Sequence, residues 1–213
     1  MSAALDKALA SQLKAGCHTL GVAQDAQAQA KLLAYLELLI KWNKAYNLTA
    51  VRDPAQMVTR HLLDSLAIAP CIRGSRLIDV GTGGGLPGVP MSILFPEREF
   101  HLLDSNGKKT RFLFQVKTAL GLDNMTVHQA RVESFAPEAP FDTVLSRAFA
   151  SIEDMVRGCR HLLGRNGHFL AMKGAYPEKE IAAVAAECQL ECVHELHVPG
   201  LDEQRHLVDM TLL

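Results

Sequence analysis

The stretch Leu77-Ile78-Asp79-Val80-Gly81-Thr82-Gly83-Gly84-Gly85-Leu86-Pro87-Gly88 constrains this chain more than any other. Leu77, Ile78 and Val80 form a short apolar run that reads as a buried strand. The glycines that follow free the backbone to turn sharply and let a ligand approach where a Cβ would collide. The spacing Gly83-x-Gly85-x-x-Gly88 fits a dinucleotide loop, in which a pyrophosphate rests on a helix N-terminus. Asp79 argues against that ligand. A carboxylate at the strand end, two positions before the first glycine, repels a pyrophosphate and suits the ammonium of an amino acid. No Walker lysine follows the glycines, which counts against an ATP or GTP loop.

Helices precede this loop and alternating elements follow it. Residues 2–15 carry Leu5, Leu9 and Leu13 at helical spacing, with Gly16 placed to end the helix. From about Asp25 to Tyr46, Ala28, Leu32, Leu33, Tyr35, Leu36, Leu39, Ile40 and Trp42 make a wide apolar face, with Glu37, Lys41 and Lys44 away from it. Asp53-Pro54 supplies an N-cap and a first-turn proline for a helix running through Met57, Leu62, Leu63, Leu66 and Ile68 to Pro70. Beyond the loop, strands at 99–104, 125–129, 142–146 and 168–172 alternate with helices at 107–120, 152–163 and 177–188. That alternation predicts a parallel sheet covered on both faces. The last two strands, 191–198 and 206–212, have only a Pro199-Gly200 turn between them and are expected to pair antiparallel.

A chain of 213 residues, 48% of them hydrophobic, suits one domain with a full core and a helical appendage. The expected division is an N-terminal helical segment, residues 1–72, packed on a core of residues 73–213. No apolar run approaches the ~20 residues that span a bilayer, and no signal peptide is evident, so a cytoplasmic protein without membrane contact is expected. The formal net charge of −1 supplies no global field to attract nucleic acid, so any such contact must be local. Cys17, Cys71, Cys159, Cys188 and Cys192 are odd in number and scattered, which suits small apolar residues better than a disulfide framework. Neither they nor the histidines show metal-ligand spacing, and no metal is expected.

In an open parallel sheet, ligands sit at the carboxyl ends of the strands. Asp79, Asp104, the segment after Gln129 and Ser146-Arg147 should therefore surround one crevice. Asp104 lies where a strand-end acid grips both hydroxyls of a ribose, although it could instead cap the helix starting near Gly107. Val132-Glu133 stands where an exit loop borders an adenine ring, and Glu133 could equally be a first-turn helix acid.

The order Asp79-Val80-Gly81-x-Gly83-x-Gly85 is that of S-adenosylmethionine methyltransferases, and further segments sharpen the likeness. Asn47-Leu48-Thr49, Arg60-His61-Leu62-Leu63-Asp64-Ser65, the glycine stretch, Leu103-Asp104-Ser105, Ser146-Arg147-Ala148-Phe149-Ala150 and Met172-Lys173-Gly174 resemble the small-subunit ribosomal RNA methyltransferase G family, also called glucose-inhibited division protein B. The resemblance runs from about Leu32 to the C-terminus and is weakest in the first helix. It implies a Rossmann-like α/β methyltransferase fold: a mostly parallel central sheet, an antiparallel C-terminal strand pair and an N-terminal helical extension. It also implies methyl transfer from S-adenosylmethionine, leaving S-adenosylhomocysteine, to N7 of a guanine in the 530 loop of bacterial 16S rRNA. The cofactor contacts it carries over are Gly81, Leu86, Val132, Glu133 and Arg147, which join Asp79, Gly83, Gly85 and Asp104 from the residue reading.

Guanine N7 has an exposed lone pair and attacks without losing a proton, so no general base is required. The sequence agrees, since it holds no Asp/Asn-Pro-Pro-aromatic motif, and Pro70-Cys71 precedes the first strand. Catalysis then rests on positioning and electrostatics. Arg60, Arg131, Arg147, Lys173 and Arg205 are the cations expected to hold RNA, at helix or strand exits, with Arg147 and Lys173 favoured for substrate positioning. Lys108, Lys109, Arg111 and Lys117 form a basic helix face, and Phe149 could stack on a base or pack in the core. The near-zero charge suggests that the substrate is the small subunit or an assembly intermediate, with no obligate protein partner. Three rival readings stay open on residues alone: a methyltransferase of another target, a nicotinamide dehydrogenase, and a non-catalytic RNA or ribosome-assembly module.

Overall fold

Apolar strands buried on both faces need neighbours on both sides. In the computed structural model, which describes residues 3–22, 25–147 and 149–213, β1 (Arg76–Val80) finds them in β2 (Glu99–Asp104) and β4 (Phe141–Ser146). β3 (Met125–Gln129) pairs outside β2 and β5 (Leu163–Lys173) outside β4, all parallel. β7 (His206–Leu212) then joins β5 antiparallel, and β6 (Cys188–Glu195) joins β7 antiparallel, giving the order β3-β2-β1-β4-β5-β7-β6. The expected mostly parallel sheet with an antiparallel C-terminal pair is what forms. The strand order turns between β1 and β4, and the carboxyl ends there open the sheet's crevice.

Successive strand residues point to opposite faces, and two cores result. Ile78, Val80, Leu103, Val144 and Phe169 pack with α7 (Ile152–Cys159), while Leu77, Phe100, Leu102, Leu145 and Leu170 pack beneath the N-terminal helices. The crossover after β1 is α5 (Gly88–Leu94), a helix the sequence reading did not separate from the loop. The crossover after β2 is α6 (Gly107–Leu120), capped by Asn106.

Helix α1 (Ala3–Thr19) runs past the stop expected at Gly16. A Cβ on Gly16 would lie 2.5 Å from Leu63 Cδ1, so this glycine serves close helix packing, and Gly21 (φ 65°) takes the left-handed turn instead. Ser2 lies outside the described residues. In α2 (Ala26–Tyr46), Asp25 caps the start by accepting from Ala28 N at 2.7 Å, as its position suggested. α3 (Pro54–Met57), capped by Asp53, continues through a π-helical segment, Val58–Leu63, into α4 (Asp64–Leu66), so Arg60 sits inside a helix and not at an exit. Such wide turns are frequent at functional sites. Later boundaries shift as well, β6 among them, which runs Cys188–Glu195 and not 191–198. α7 stops at Cys159 and β5 starts at Leu163, which pairs with Phe141 across a register shift. α8 (Glu178–Ala183) ends five residues short of Cys188, because Cys188 pairs with Leu212 and begins β6.

Candidate active site

The glycine loop is held from three sides. Gly81 N and Thr82 N donate to Leu103 O at 2.9 and 3.2 Å, which ties the loop to the end of β2. Tyr35 on α2 donates its hydroxyl to Gly84 O at 2.6 Å. Gly83 N donates to Asp104 Oδ2 at 2.9 Å. The glycines do different jobs. A Cβ on Gly85 (φ 91°) would approach Val89 Cγ2 to 2.4 Å and Leu113 Cδ2 to 2.8 Å, so that residue lets the loop close against α5 and α6, whereas the space above Gly83 (φ 62°) is nearly open. Only the second arrangement leaves room for a ligand.

Asp79 lies under the loop and is 1% exposed. Its Oδ2 accepts from Thr82 Oγ1 at 2.6 Å and from Gly88 N at 2.8 Å. Its Oδ1 is enclosed and meets no hydrogen-bond partner among the described residues. Burial pushes this carboxyl up to about 6, against the pull of those two hydrogen bonds and of Arg147. A buried anion short of one partner is what a ligand cation would relieve.

Beside the loop is a crevice of about 320 Å3, lined by Gly81, Asp104, Lys109, Arg131, Val132, Glu133 and Phe149, with Val80 and Leu103 at its base. Asp104 caps no helix end. Its Oδ1 accepts from Asn106 N at 2.8 Å, and Lys109 Nζ stands 3.5 Å from its Oδ2. Lys109 therefore turns into the crevice and leaves the basic face of α6. Val132 and Glu133 occupy a short 3-10 turn after β3. Acceptors at Asp104 and Glu133 with apolar walls at Val132 and Phe149 fit a ribose and an aromatic ring, so S-adenosylmethionine suits this crevice. Gly83, Gly85, Leu86 and Asp79 support the wall without lining it, and Arg131 falls on this side, apart from the other expected RNA cations.

Those other cations converge on a second pocket of about 360 Å3, lined by Arg60, His61, Asp64, Arg147, Met172, Lys173, Arg205 and His206. At its centre Asp64, almost fully buried, accepts from Arg147 Nη1 and from Arg205 Nε, each at 3.0 Å. Arg60 pairs with Glu203 at 2.6 Å and Lys173 with Glu180 at 2.7 Å. Four cations from four separate segments are thus held by three carboxylates. His61 bonds Thr49 Oγ1 through Nε2 at 2.9 Å, while its buried Nδ1 meets no partner among the described residues. Burial and the nearby Arg147 charge lower His61 to about 4, which leaves it neutral at neutral pH.

His61, Asp64 and His206 have no role assigned by their sequence pattern. Asp64 and His61 do share one motif with Arg60, and an acid one helical turn from a basic residue was the available signal. His206 had none, because its bond to Gly174 O at 2.7 Å joins residues distant in the chain.

A glycine loop after the first strand, acids at two strand ends and this strand order define an S-adenosylmethionine-dependent methyltransferase. Solved structures agree on the fold. The glycopeptide N-methyltransferase MtfA, in complex with S-adenosylmethionine, superposes with a TM-score of 0.62 at 12% identity, over 72% of this chain and 87% of that one. A SAM-dependent methyltransferase from Aquifex aeolicus gives 0.60 at 14% identity, over 77% of this chain and 96% of its own. Residues 28–208 match the GidB family, described as rRNA small subunit methyltransferase G, and the chain belongs to that family. The ribosomal RNA small subunit methyltransferase G of Pseudomonas aeruginosa (strain LESB58) is 58% identical, covering 93% of this chain and 94% of its own. That of Pseudomonas syringae pv. syringae (strain B728a) is 54% identical, covering 98% and 97%. No helix among the described residues is long and apolar enough to cross a membrane.

Proposed function

We propose that this rRNA methyltransferase modifies N7 of a guanine in the 530 loop of bacterial 16S rRNA, within the small subunit or an assembly intermediate in the cytoplasm. The observation that carries the reading is the exit of β4: Phe149 borders the first crevice and Arg147, two residues earlier, borders the second. One short segment parts a crevice suited to the methyl donor from a pocket suited to an anionic polymer.

When bound, S-adenosylmethionine supplies a methyl group on a positively charged sulfur. In this reading Asp79 offers Oδ1 to the ammonium of that cofactor, Asp104 takes the ribose hydroxyls, and Val132 and Glu133 border the adenine. Gly81, Gly83, Gly85 and Leu86 shape the backbone wall. Arg147 and Lys173 position the substrate, with Arg60 and Arg205 beside them and Arg131 at the mouth of the other crevice. N7 attack releases no proton, and the pocket accords with that: His61 is neutral, and both oxygens of Asp64 are engaged by arginines. Arginines already held in place can clamp the flanking phosphates and so orient the base for attack with little loss of freedom.

The test is transfer of tritiated methyl to rRNA from a strain lacking the gene, with the labelled base mapped. The expected result is a single labelled guanine in the 530 loop, sensitive to the strand cleavage that N7 alkylation permits. Label on an exocyclic amine or a ribose would overturn the assignment. Rates on assembled subunits should exceed those on free 16S rRNA, and equal rates would count against the subunit as substrate.

A further inference from the structure

Outside both pockets, the groove between α2 and α6 has chemistry of its own. It measures about 420 Å3 and is lined by Leu38, Lys41, Trp42, Ala45, Tyr46 and Gln115. We propose that this groove is a docking surface for a single-stranded stretch of the RNA substrate flanking the modified nucleotide, a proposal that rests on the rRNA reading above.

Three observations carry it. The first is exposed aromatic surface. Trp42 stacks obliquely on Tyr46, with ring centroids 5.1 Å apart, and Phe112 supports it from below at 5.6 Å. Tyr46 is 46% exposed and Phe114 on the neighbouring helix is 50% exposed; among the other described Phe, Tyr and Trp rings only Tyr176 is as open, and it lies apart from these two helices. The second is free charge. Lys41, Lys44, Lys108 and Arg111 lie exposed on these two helices, and among the described residues none of them makes an ion pair. In the second pocket, by contrast, every cation already has a carboxylate. The acid nearest on α2, Glu37, faces a separate recess with Asp6 and Leu9 of α1.

The third is direction. Lys31, early in α2, reaches Gly121 O at the end of α6, whereas Trp42 meets Phe112 nearer its start. The helices therefore run antiparallel, and the Tyr46 end of the groove opens toward the start of α6. That is the end where Lys109 of the same helix reaches the cofactor crevice. A strand whose target base enters the site can continue along the groove. Successive bases stack on aromatic faces while lysines follow the phosphates, with little demand on sequence. Protein interfaces deplete lysine at their cores, so the pairing of lysine with open rings favours RNA over a protein partner.

Trp42 is the single tryptophan, so intrinsic fluorescence reports on this groove directly. Titrating the full chain, saturated with S-adenosylhomocysteine, with a 16S rRNA fragment containing the 530 loop should quench that emission. The Lys41→Ala/Tyr46→Ala double variant should lose most of the quench and raise KM for rRNA about tenfold. Its S-adenosylmethionine affinity should match wild type, because Tyr46 and Lys41 lie away from the crevice, and its thermal midpoint should fall by only a few degrees, about what losing the Trp42–Tyr46 ring contact costs. Methyl transfer by wild type with no quench, and an unchanged KM in the variant, overturns the groove. So does a defect confined to assembled subunits with naked RNA unaffected, which would assign the surface to a protein. A wild type that fails to methylate rRNA yet shows Tyr46-dependent quenching sinks the functional reading and leaves the groove standing.

Discussion

The two pockets at the strand ends are built on opposite plans. The first draws on the loops that follow β1, β2 and β3, with Phe149 added from the exit of β4, and sets two acids, Asp104 and Glu133, beside Lys109 and Arg131. The second gathers Arg60, Arg147, Lys173 and Arg205 from four segments and holds them through Asp64, Glu180 and Glu203. A pocket made of consecutive loops can be written as a motif. One made of distant cations can have its members guessed one by one, but their convergence and their carboxylate partners exist only in the folded chain, and its preorganisation depends on ion pairs that a substrate phosphate must share or displace.

If the plans correspond to separate ligands, single changes should separate cofactor binding from RNA use. The largest effect is expected for Arg147→Ala: methyl transfer about 100-fold slower, equivalent to about 2.7 kcal/mol, with the S-adenosylmethionine dissociation constant within threefold by calorimetry. An equal loss of cofactor affinity would erase the distinction, since family resemblance gives Arg147 a cofactor contact too.

Asp79→Asn probes the other side. Burial raises this carboxyl from an ordinary 3.8 to about 6. A carboxyl whose folded value lies above its unfolded one favours the fold below pH 4 and loses that contribution as pH rises through about 6. The variant should therefore be more stable than wild type by about 1–3 kcal/mol at pH 8 and no different near pH 4 in denaturant titrations. If Asp79 receives the ammonium, the same variant binds S-adenosylmethionine about ten- to hundredfold more weakly at pH 8. Unchanged binding would leave the acid with only its structural bonds to Thr82 and Gly88.

Salt should discriminate next. Each phosphate contact on single-stranded RNA contributes a slope of about −0.7 in log affinity against log salt, so four cations give about −3. Cofactor binding should be nearly flat over the same range. The smallest effect is expected from Gly16→Ala, whose Cβ would press on Leu63 beside Asp64. Crowding of this kind costs about 1–3 kcal/mol. It should lower the melting midpoint and raise KM for RNA about twofold, leaving cofactor affinity untouched.

Much of this molecule was legible before folding, and for local reasons. β2, α6, β3 and β7 fall on their expected residues, because apolar period, an Asn cap and glycine stops all act within a few positions. The strand-end acids and the glycine loop were legible for the same reason. Gly16 misled, since a helix-stopping residue in isolation becomes a packing residue once Leu63 lies against it.

The residues by themselves determined the elements, the Asp79 loop and hence the class of ligand the first crevice suits, because neighbours in sequence supply its groups. Only the tertiary structure decided that Asp64 grips two arginines 83 and 141 positions away, that Arg131 parts from the other cations, and that Asp79 lies beneath the crevice wall. Those outcomes depend on how strands order and helices cross, which is set by burial summed over the whole core and written in no single segment.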